Sequence, residues 1–166
     1  EAENAPYSRL FGRVVFIPAG VFRLGESTRG ANTACLHAKG AASLAGVGRL
    51  SRVGPNPAAV ASTSSFLAVK PDDTEMASGW RCENWFMGDS SNGRRHGLHG
   101  IYLDGRQAGA HFPAIKIRNM YIVQSRSGLD VNRGKAVYHD NNETLNPNGG
   151  MYLSVIEGCR LGGGVS

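Results

Sequence analysis

The stretch from residue 100 to residue 132, GIYLDGRQAGAHFPAIKIRNMYIVQSRSGLDVN, decides the fold class. It contains three short apolar runs, GIYLDG, AIKIRNMYIV and GLDV, which are separated by glycine, proline and serine. Apolar runs of about four to eight residues that are rich in β-branched and aromatic side chains indicate β-strands. None of the runs has a sustained apolar stripe at helical spacing or a helix cap, so the sequence predicts strands here.

The same pattern extends over the rest of the chain. Further strand-like runs occupy residues 12–24, 34–40, 42–48, 65–70, 79–89 and 150–161. The first of these contains a Pro-Ala-Gly corner, and the small, polar residues 54–64 predict a loop. The sequence therefore predicts an all-β protein made of short strands.

A degenerate internal repeat indicates how these strands are connected. The segments 82–87, 117–122 and 156–161 share the order apolar, charged, Asn or Gly, apolar, variable, apolar. Asn84, Asn119 and Gly158 occupy the third position, where a tight bend needs left-handed backbone geometry. A chain that coils and stacks successive strands explains this repeat. An antiparallel sandwich is the alternative that the pattern leaves open.

Composition limits the possible partners and chemistry. The 166 residues fit one domain, and the formal net charge is +5. That charge is compatible with a solvated basic surface or with a polyanionic partner, and no nucleic-acid-binding motif accompanies it. Cys35, Cys82 and Cys159 are widely spaced and predict small buried side chains. We expect no cofactor, no metal site, no nucleic-acid partner and no membrane span.

Two stretches carry a resemblance to a known family. The matching residues in the first stretch are Gly12, Val14, Pro18, Gly20, Phe22 and Leu24, and those in the second are Leu44, Gly46, Gly48, Ser51 and Val53. They resemble the opening of the pectate-lyase-like right-handed parallel β-helix family, and the stretch from residue 100 resembles phage tailspikes and capsular polysaccharide depolymerases. The resemblance implies a single-stranded parallel β-helix, or solenoid, across residues 1–166. Residues 1–53 would form its entry segment and residues 54–166 its rungs, in a fragment truncated at both ends.

The resemblance also implies a function. We expect a homotrimeric tailspike-like glycoside hydrolase, in a virion tail or extracellular, that binds and depolymerises bacterial surface polysaccharide. One alternative is a secreted polysaccharide lyase that acts on acidic glycan. Another is a structural β-helix that binds glycan without cleaving it.

Three carboxylates follow one another at almost equal intervals and are the predicted catalytic residues, Asp104, Asp130 and Glu157. Stacked strands lie about 4.8 Å apart, so carboxylates on neighbouring rungs would have the separations that glycosidases use. In that hypothesis one carboxyl protonates the glycosidic oxygen and another activates water or attacks carbon. The alternative is that Asp104 and Asp130 are turn residues that bond their own backbone.

Cations and one tryptophan are the predicted substrate-binding residues: Arg94, Arg95, His99, Lys116, Arg118 and Trp85. Lys116 and Arg118 alternate with isoleucines, which predicts that they project outward and face an acidic sugar. We expect Cys82 and Phe86 to face inward and Trp85 outward, although a core position for Trp85 remains open.

The apolar positions of the predicted strands give the expected core. The set is Val15, Ile17, Leu44, Val69, Ile101, Leu103, Ile115, Ile117, Ile122, Val131, Leu153 and Ile156.

Overall fold

The computed structural model describes ten segments of the chain, and every regular element in them is a β-strand. The segments are residues 13–30, 32–38, 42–56, 65–70, 79–88, 99–106, 112–123, 135–141, 151–162 and 164–165. This confirms the all-β fold class. Within the same segments no helix is long and apolar enough to span a membrane.

Sixteen strands make up these segments. In chain order they are β1 Arg13–Ile17, β2 Gly20–Leu24, β3 Ser27–Arg29, β4 Asn32–Ala38, β5 Ala42–Pro55, β6 Ser65–Val69, β7 Arg81–Gly88, β8 His99–Gly105, β9 Phe112–Pro113, β10 Lys116–Arg118, β11 Tyr121–Val123, β12 Lys135–Asn141, β13 Met151–Tyr152, β14 Val155–Glu157, β15 Arg160–Gly162 and β16 Gly164–Val165. Most of them agree with the predicted runs, but β3, β12 and β16 match no predicted run, and GLDV at 128–131 lies outside the described residues. Strand β5 continues across the predicted boundary between entry segment and rungs.

The strands assemble into three sheets. Sheet A has the order β1-β5-β7-β10-β14, with β2 beside β5, β11 beside β7, and β15 beside β11. Sheet B has the order β16-β12-β8-β6-β4-β3, and sheet C pairs β13 with β9. The chain runs through sheet A and then through sheet B several times. Each circuit through both sheets is termed a pass. The first pass holds β1 to β4, the second β5 and β6, the third β7 to β9, the fourth β10 to β13, and the fifth β14 to β16.

Strands from successive passes pair in parallel. All pairings among the described residues are parallel except the short one between β3 and β4 at the edge of sheet B. Parallel neighbours need a long crossover connection, and here that connection runs through the other sheets. The antiparallel sandwich does not describe these sheets.

The register confirms the internal repeat. Ile117 pairs with Cys82 on one side and with Ile156 on the other. Further along the same segments, Ile122 pairs with Met87 and with Leu161. The three segments aligned by sequence pattern are therefore stacked in the structure position by position.

The predicted bends are also present and form a column. Asn84, Asn119 and Gly158 have φ angles of 59°, 51° and 62°, all in the left-handed region. The Asn119 side-chain Nδ2 donates a hydrogen bond to Asn84 Oδ1 at 3.2 Å, and the Asn119 backbone N–H donates to Glu157 O at 3.0 Å. A Cβ on Gly158 would collide with the Asn119 side-chain oxygen, so a larger residue here would force the Asn119 side chain to move.

A second column of bends precedes strands β7, β10 and β14. Gly79, Ala114 and Leu153 have φ angles of 67°, 55° and 53°. Each lies two residues before Arg81, Lys116 or Val155, and those three pair in register across sheet A. Glycine adopts this conformation without cost, whereas alanine and leucine are strained in it.

The left-handed bend at Asn84 changes which side chains face the core. Before the bend Cys82 is buried, and after it Trp85 and Met87 are buried within the same core cluster. Simple alternation from Cys82 predicts that Phe86 faces inward, and Phe86 is indeed buried, at 7% exposed, but it packs against Tyr121 and Arg52 and not within that cluster. The bend shifts the alternation by one residue. The prediction that Trp85 faces outward, as a substrate-binding residue, is therefore wrong, and its side chain is only 1% exposed.

Most of the predicted core is confirmed. Fully buried members are Val69, Ile101, Leu103, Ile115, Ile117 and Ile122, and Ile17, Leu44 and Ile156 pack partly buried against them. Two predictions are wrong. Val15 is 41% exposed because β1 is the outermost strand of sheet A, and Leu153 is 84% exposed at its bend. Val131 lies outside the described residues.

The two large sheets differ in how their outer faces are covered. Every residue of β6 and β8 in sheet B is buried, so both faces of those strands are covered. In sheet A, strand β10 alternates strictly, with Ile117 buried between the half-buried Lys116 and Arg118. The outer face of sheet A is therefore the accessible one, and it positions the candidate site described below.

Replacing Leu153 by glycine is expected to stabilise the protein. A left-handed bend costs a non-glycine residue about 1–2 kcal/mol, whereas glycine adopts it freely but adds about 0.5–1 kcal/mol of unfolded-state entropy. We expect a net gain of about 0.5–1 kcal/mol in the free energy of unfolding, measured by urea denaturation. The matched control is Leu153→Ala, which removes the exposed apolar side chain but keeps the strain. An equal gain in both variants would contradict the assignment of strain to this bend.

Candidate functional site

One register column on the outer face of sheet A alternates arginines with aromatic rings. Arg52 pairs with Phe86, Phe86 with Tyr121, and Tyr121 with Arg160. Each lies on a different strand, in order β5, β7, β11 and β15. The bends at Asn84 and its equivalents direct this column outward, since the residues on either side of it face the core.

The side chains of this column are stacked. The rings of Phe86 and Tyr121 have centroids 4.7 Å apart and planes inclined by only 12°. The Arg52 guanidinium carbon lies 5.7 Å from the Phe86 centroid, and that of Arg160 lies 5.2 Å from the Tyr121 centroid. Both distances are within the range of cation–π attraction. Two cations thus terminate a pair of stacked rings.

A fifth side chain joins the column from a bulge in β5. The register between β5 and β7 shifts around Gly48, where β5 contains more residues than its partner. The Ser51 hydroxyl holds this bulge: it accepts a hydrogen bond from the Val47 N–H at 2.8 Å and donates one to Ile17 O at 2.7 Å. From the bulge, the Arg49 guanidinium carbon reaches to 5.1 Å from the Tyr121 centroid. We refer to Arg49 and the column of Arg52, Phe86, Tyr121 and Arg160 as the ladder.

Further charges lie beside the ladder on strands β7, β10 and β14 of sheet A. Arg81 and Lys116 pair in one register row, and Glu83, Arg118 and Glu157 pair in the next. The Arg118 Nε lies 2.6 Å from Glu157 Oε1, which is an ion-pair contact without the alignment of a hydrogen bond. Together with the three arginines of the ladder, these rows give an outer face on which cations outnumber carboxylates.

This arrangement is suited to binding anions. Arginine presents planar donor pairs that match a carboxylate, and stacking on a ring holds the guanidinium in place before a ligand arrives. The ring faces of Phe86 and Tyr121 are occupied by each other and by guanidinium groups. A sugar therefore cannot stack on these faces, and the aromatic rings serve to position arginines.

The structure does not bring the predicted catalytic carboxylates together. Asp104 lies in β8 of sheet B and is buried, whereas Glu157 lies in β14 of sheet A and is exposed. Asp130 lies outside the described residues. Asp104 and Glu157 are not stacked as predicted, because paired positions are further apart in sequence than the prediction requires: Asn84 and Asn119 are 35 residues apart, and Ile115 and Ser154 are 39 apart.

Asp104 instead belongs to a buried hydrogen-bond network. Its Oδ2 accepts from Asn32 Nδ2 at 2.7 Å, and Arg106 Nε and Nη2 donate to its two oxygens at 2.9 and 3.0 Å. Burial raises the pKa of the Asp104 carboxyl, but the Arg106 and Asn32 hydrogen bonds and the Arg106 charge lower it more, so the net shift is downward. A carboxylate held in this way is a poor general acid.

The predicted substrate-binding residues divide between the two sheets. Lys116 and Arg118 project from the outer face of sheet A as predicted. His99 does not: it is 5% exposed in β8 of sheet B, and its ring stacks on Tyr102 with centroids 5.7 Å apart. Arg94 and Arg95 lie outside the described residues.

The cysteines agree with an apolar structural role. All three are free thiols; Cys82 is fully buried, and Cys35 and Cys159 are half-buried. Burial, followed by the nearby charge of Glu26, raises the pKa of Cys35 to about 11. Burial also raises the pKa of Cys82 well above its ordinary value. These two thiols stay protonated and unreactive at neutral pH. Among the described residues, no three metal-ligand side chains cluster together.

Sequence reasoning missed most of the ladder. Phe86, Tyr121 and Arg160 hold the position that the repeat alignment labelled variable, so the alignment contained the signal that they stack. That signal can be read only when the one-residue shift of the inside–outside alternation at the bend is known. Arg49 and Arg52 carried no such signal, because the bulge in β5 breaks the repeat before it reaches them.

Comparisons of the chain with models of protein families, with curated proteins and with solved structures found no match.

The Asp104 network is expected to make stability depend on pH. Because the folded pKa lies below the unfolded value of 3.8, the contribution is present above that value and is lost as the pH falls through the folded pKa. We expect Asp104→Asn to cost about 1–3 kcal/mol of unfolding free energy at neutral pH. The cost should shrink as the pH falls below 3.8 and through the folded pKa, because wild type then also loses the charge.

Glu157→Gln is the control, because it removes an exposed ion pair that contributes at most about 1 kcal/mol. Denaturant titrations at several pH values measure both variants. A cost for Asp104→Asn that is unchanged under acid conditions would contradict the role assigned to the carboxylate charge.

Proposed function

We propose that the chain is a right-handed parallel β-helix of the type found in the pectate-lyase-like family and in phage tailspikes. Three observations support this fold: the alternation of the chain between sheets, the parallel register of successive passes, and the two columns of left-handed bends. Each pass buries its inner side chains only by stacking on its neighbours, as solenoid repeats do.

We further propose that this β-helix binds acidic bacterial surface polysaccharide along the outer face of sheet A. The ladder is the observation that carries this proposal, because its arginines are held by ring stacking on an accessible face. The column runs across four strands, and strands lie about 4.8 Å apart, so the ladder extends over about 14 Å. A flexible linear polymer can follow such a row, whereas a single small anion would contact only one end.

The ladder favours acidic over neutral glycan. Neutral sugars bind proteins largely by stacking on aromatic faces, and both faces are taken in Phe86 and Tyr121. Guanidinium groups bind carboxylates through charge-assisted hydrogen bonds. Uronate or other carboxylated residues are therefore the sugars that this face would select.

Binding without cleavage is the form of the function that the geometry favours. The Asp104–Asp130–Glu157 hypothesis lacks support, because Asp104 and Glu157 lie on different sheets. Hydrolysis in the manner of a tailspike depolymerase and β-elimination by a polysaccharide lyase are the alternatives. Reducing-end release would reveal either cleavage, and the ultraviolet absorbance of an unsaturated uronate would identify the lyase. For binding, hydrolysis and lyase cleavage alike, we propose that the protein acts in a virion tail or outside the cell.

Neutralising one end of the ladder is expected to weaken binding to an acidic polymer. We expect Arg160→Gln to raise the Kd for polygalacturonate about tenfold, since a charge-assisted hydrogen bond contributes about 1.5–3 kcal/mol. Dextran, a neutral polymer, should bind much more weakly to both proteins. Calorimetric titration at fixed salt concentration provides the measurement.

The matched control is Arg29→Gln, which removes the same charge from an exposed position in β3 at the edge of sheet B. Its Kd should stay within about twofold of wild type, because it lies outside the ladder. Equal losses in the two variants would mean that only net charge matters. Tight binding of dextran would contradict the proposed selection for acidic glycan.

We also propose that copies of the chain associate as a homotrimer through strands β1 and β2 of the first pass. Val14, Phe16 and Val21 are 61%, 60% and 64% exposed there. An apolar row of this kind is typical of a protein–protein contact. Light scattering of Phe16→Glu should then report a lower molar mass than wild type. A wild-type protein that remains monomeric at high concentration would contradict the association.

A further inference from the structure

The β5 bulge exposes apolar side chains next to the cations of the ladder. Leu50 is 65% exposed and Val47 is 44% exposed. Val47 and Leu50 lie in the gap between the part of β5 that pairs with β1, which ends at Gly46, and the part that pairs with β2, which begins at Ser51. Strand β7 still pairs with β5 at Gly48, so the bulge is unpaired on one side only.

The bulge is held in a defined conformation. The buried Ser51 hydroxyl bonds to the Val47 N–H and to Ile17 O, and Arg52 Nε donates to Arg49 O at 3.1 Å. Gly48 takes the left-handed geometry that turns the chain here, with a φ of 59°. Leu50 is thus presented by a fixed backbone, which lowers the entropic cost of using it to bind a ligand.

The neighbours of Leu50 indicate the ligand that it would meet. The flanking residues along the chain are Arg49 and Ser51, and the next residue is Arg52. Both arginines place their guanidinium groups over ladder rings. A ligand on this part of the face therefore meets a cation and an apolar surface side by side. An acidic sugar that carries an acetyl group has the matching pair of groups, a carboxylate and a methyl.

We infer that the bulge Val47–Leu50 is a specificity element that recognises acetyl substituents on the acidic polysaccharide bound by the ladder. This inference rests on the proposed function. The ladder binds the carboxylates, and Leu50 with Val47 removes the acetyl methyl from water. A polymer without acetyl groups would bind through charge alone.

The test compares two forms of one polymer. The probes are bacterial O-acetylated alginate and the same preparation after mild alkaline deacetylation, which have the same chain length and carboxylate density. Wild type is expected to bind the acetylated form about three- to fivefold more tightly, as burial of a methyl-sized group predicts. Leu50→Ser should bring the ratio of the two Kd values close to one.

Two control variants separate specificity from charge. Arg49→Gln should weaken binding to both forms while leaving the preference for the acetylated form. Arg29→Gln, remote from the ladder, should change neither the affinities nor their ratio.

The outcomes separate a failure of acetyl recognition by the bulge from a failure of glycan binding by the ladder. Equal binding of the two alginates by wild type, or an unchanged preference in Leu50→Ser, would overturn the inference and leave the glycan-binding proposal standing. A lack of binding to either alginate would overturn both.

Discussion

The stacked left-handed bend is the constraint on which the rest of the described structure depends. Asn84, Asn119 and Gly158 turn the chain at the same position in successive passes, and hydrogen bonds join neighbouring bends. Asparagine tolerates this geometry and glycine adopts it freely, whereas other residues are strained in it. Because the bend shifts the inside–outside alternation by one residue, it determines both the core and the outer face. Trp85 joins the core cluster for this reason, whereas Phe86 is buried by its ladder neighbours instead.

The outer face of sheet A follows from that shift. Phe86 and Tyr121 come to lie over each other only because their strands pair in register, and their stacked rings then hold Arg52 and Arg160 at the two ends. Guanidinium groups fixed in this way lose little freedom when a carboxylate binds. In sheet B the strands β6 and β8 are covered on both faces, and the cation–ring contact between Arg106 and Tyr102 adjoins the partly buried hydrogen bonds of Asp104.

The catalytic hypothesis shows how a spacing argument can fail in a coiled chain. Equal intervals in sequence imply stacked positions only if every pass has the same length, and the loops between strands make the passes unequal. In register, the neighbour of Asp104 in β12 is Asp140, while the neighbour of Glu157 in β10 is Arg118. Glu157 is thus paired with a cation, and Asp104 is bound by Arg106 and Asn32. The partners of Asp104 stabilise its charged form.

The sequence by itself determined the strand content, the repeat, the bend residues and most of the core, because these depend on local preferences of side chains and backbone. Asn119 and Ile117 could be placed from pattern alone, and both predictions are confirmed. Only the tertiary structure decided which outward residues meet. Arg49 lies far from Tyr121 in sequence, and a bulge held by Ser51 brings them together. Such contacts depend on register and loop length, which no local preference encodes.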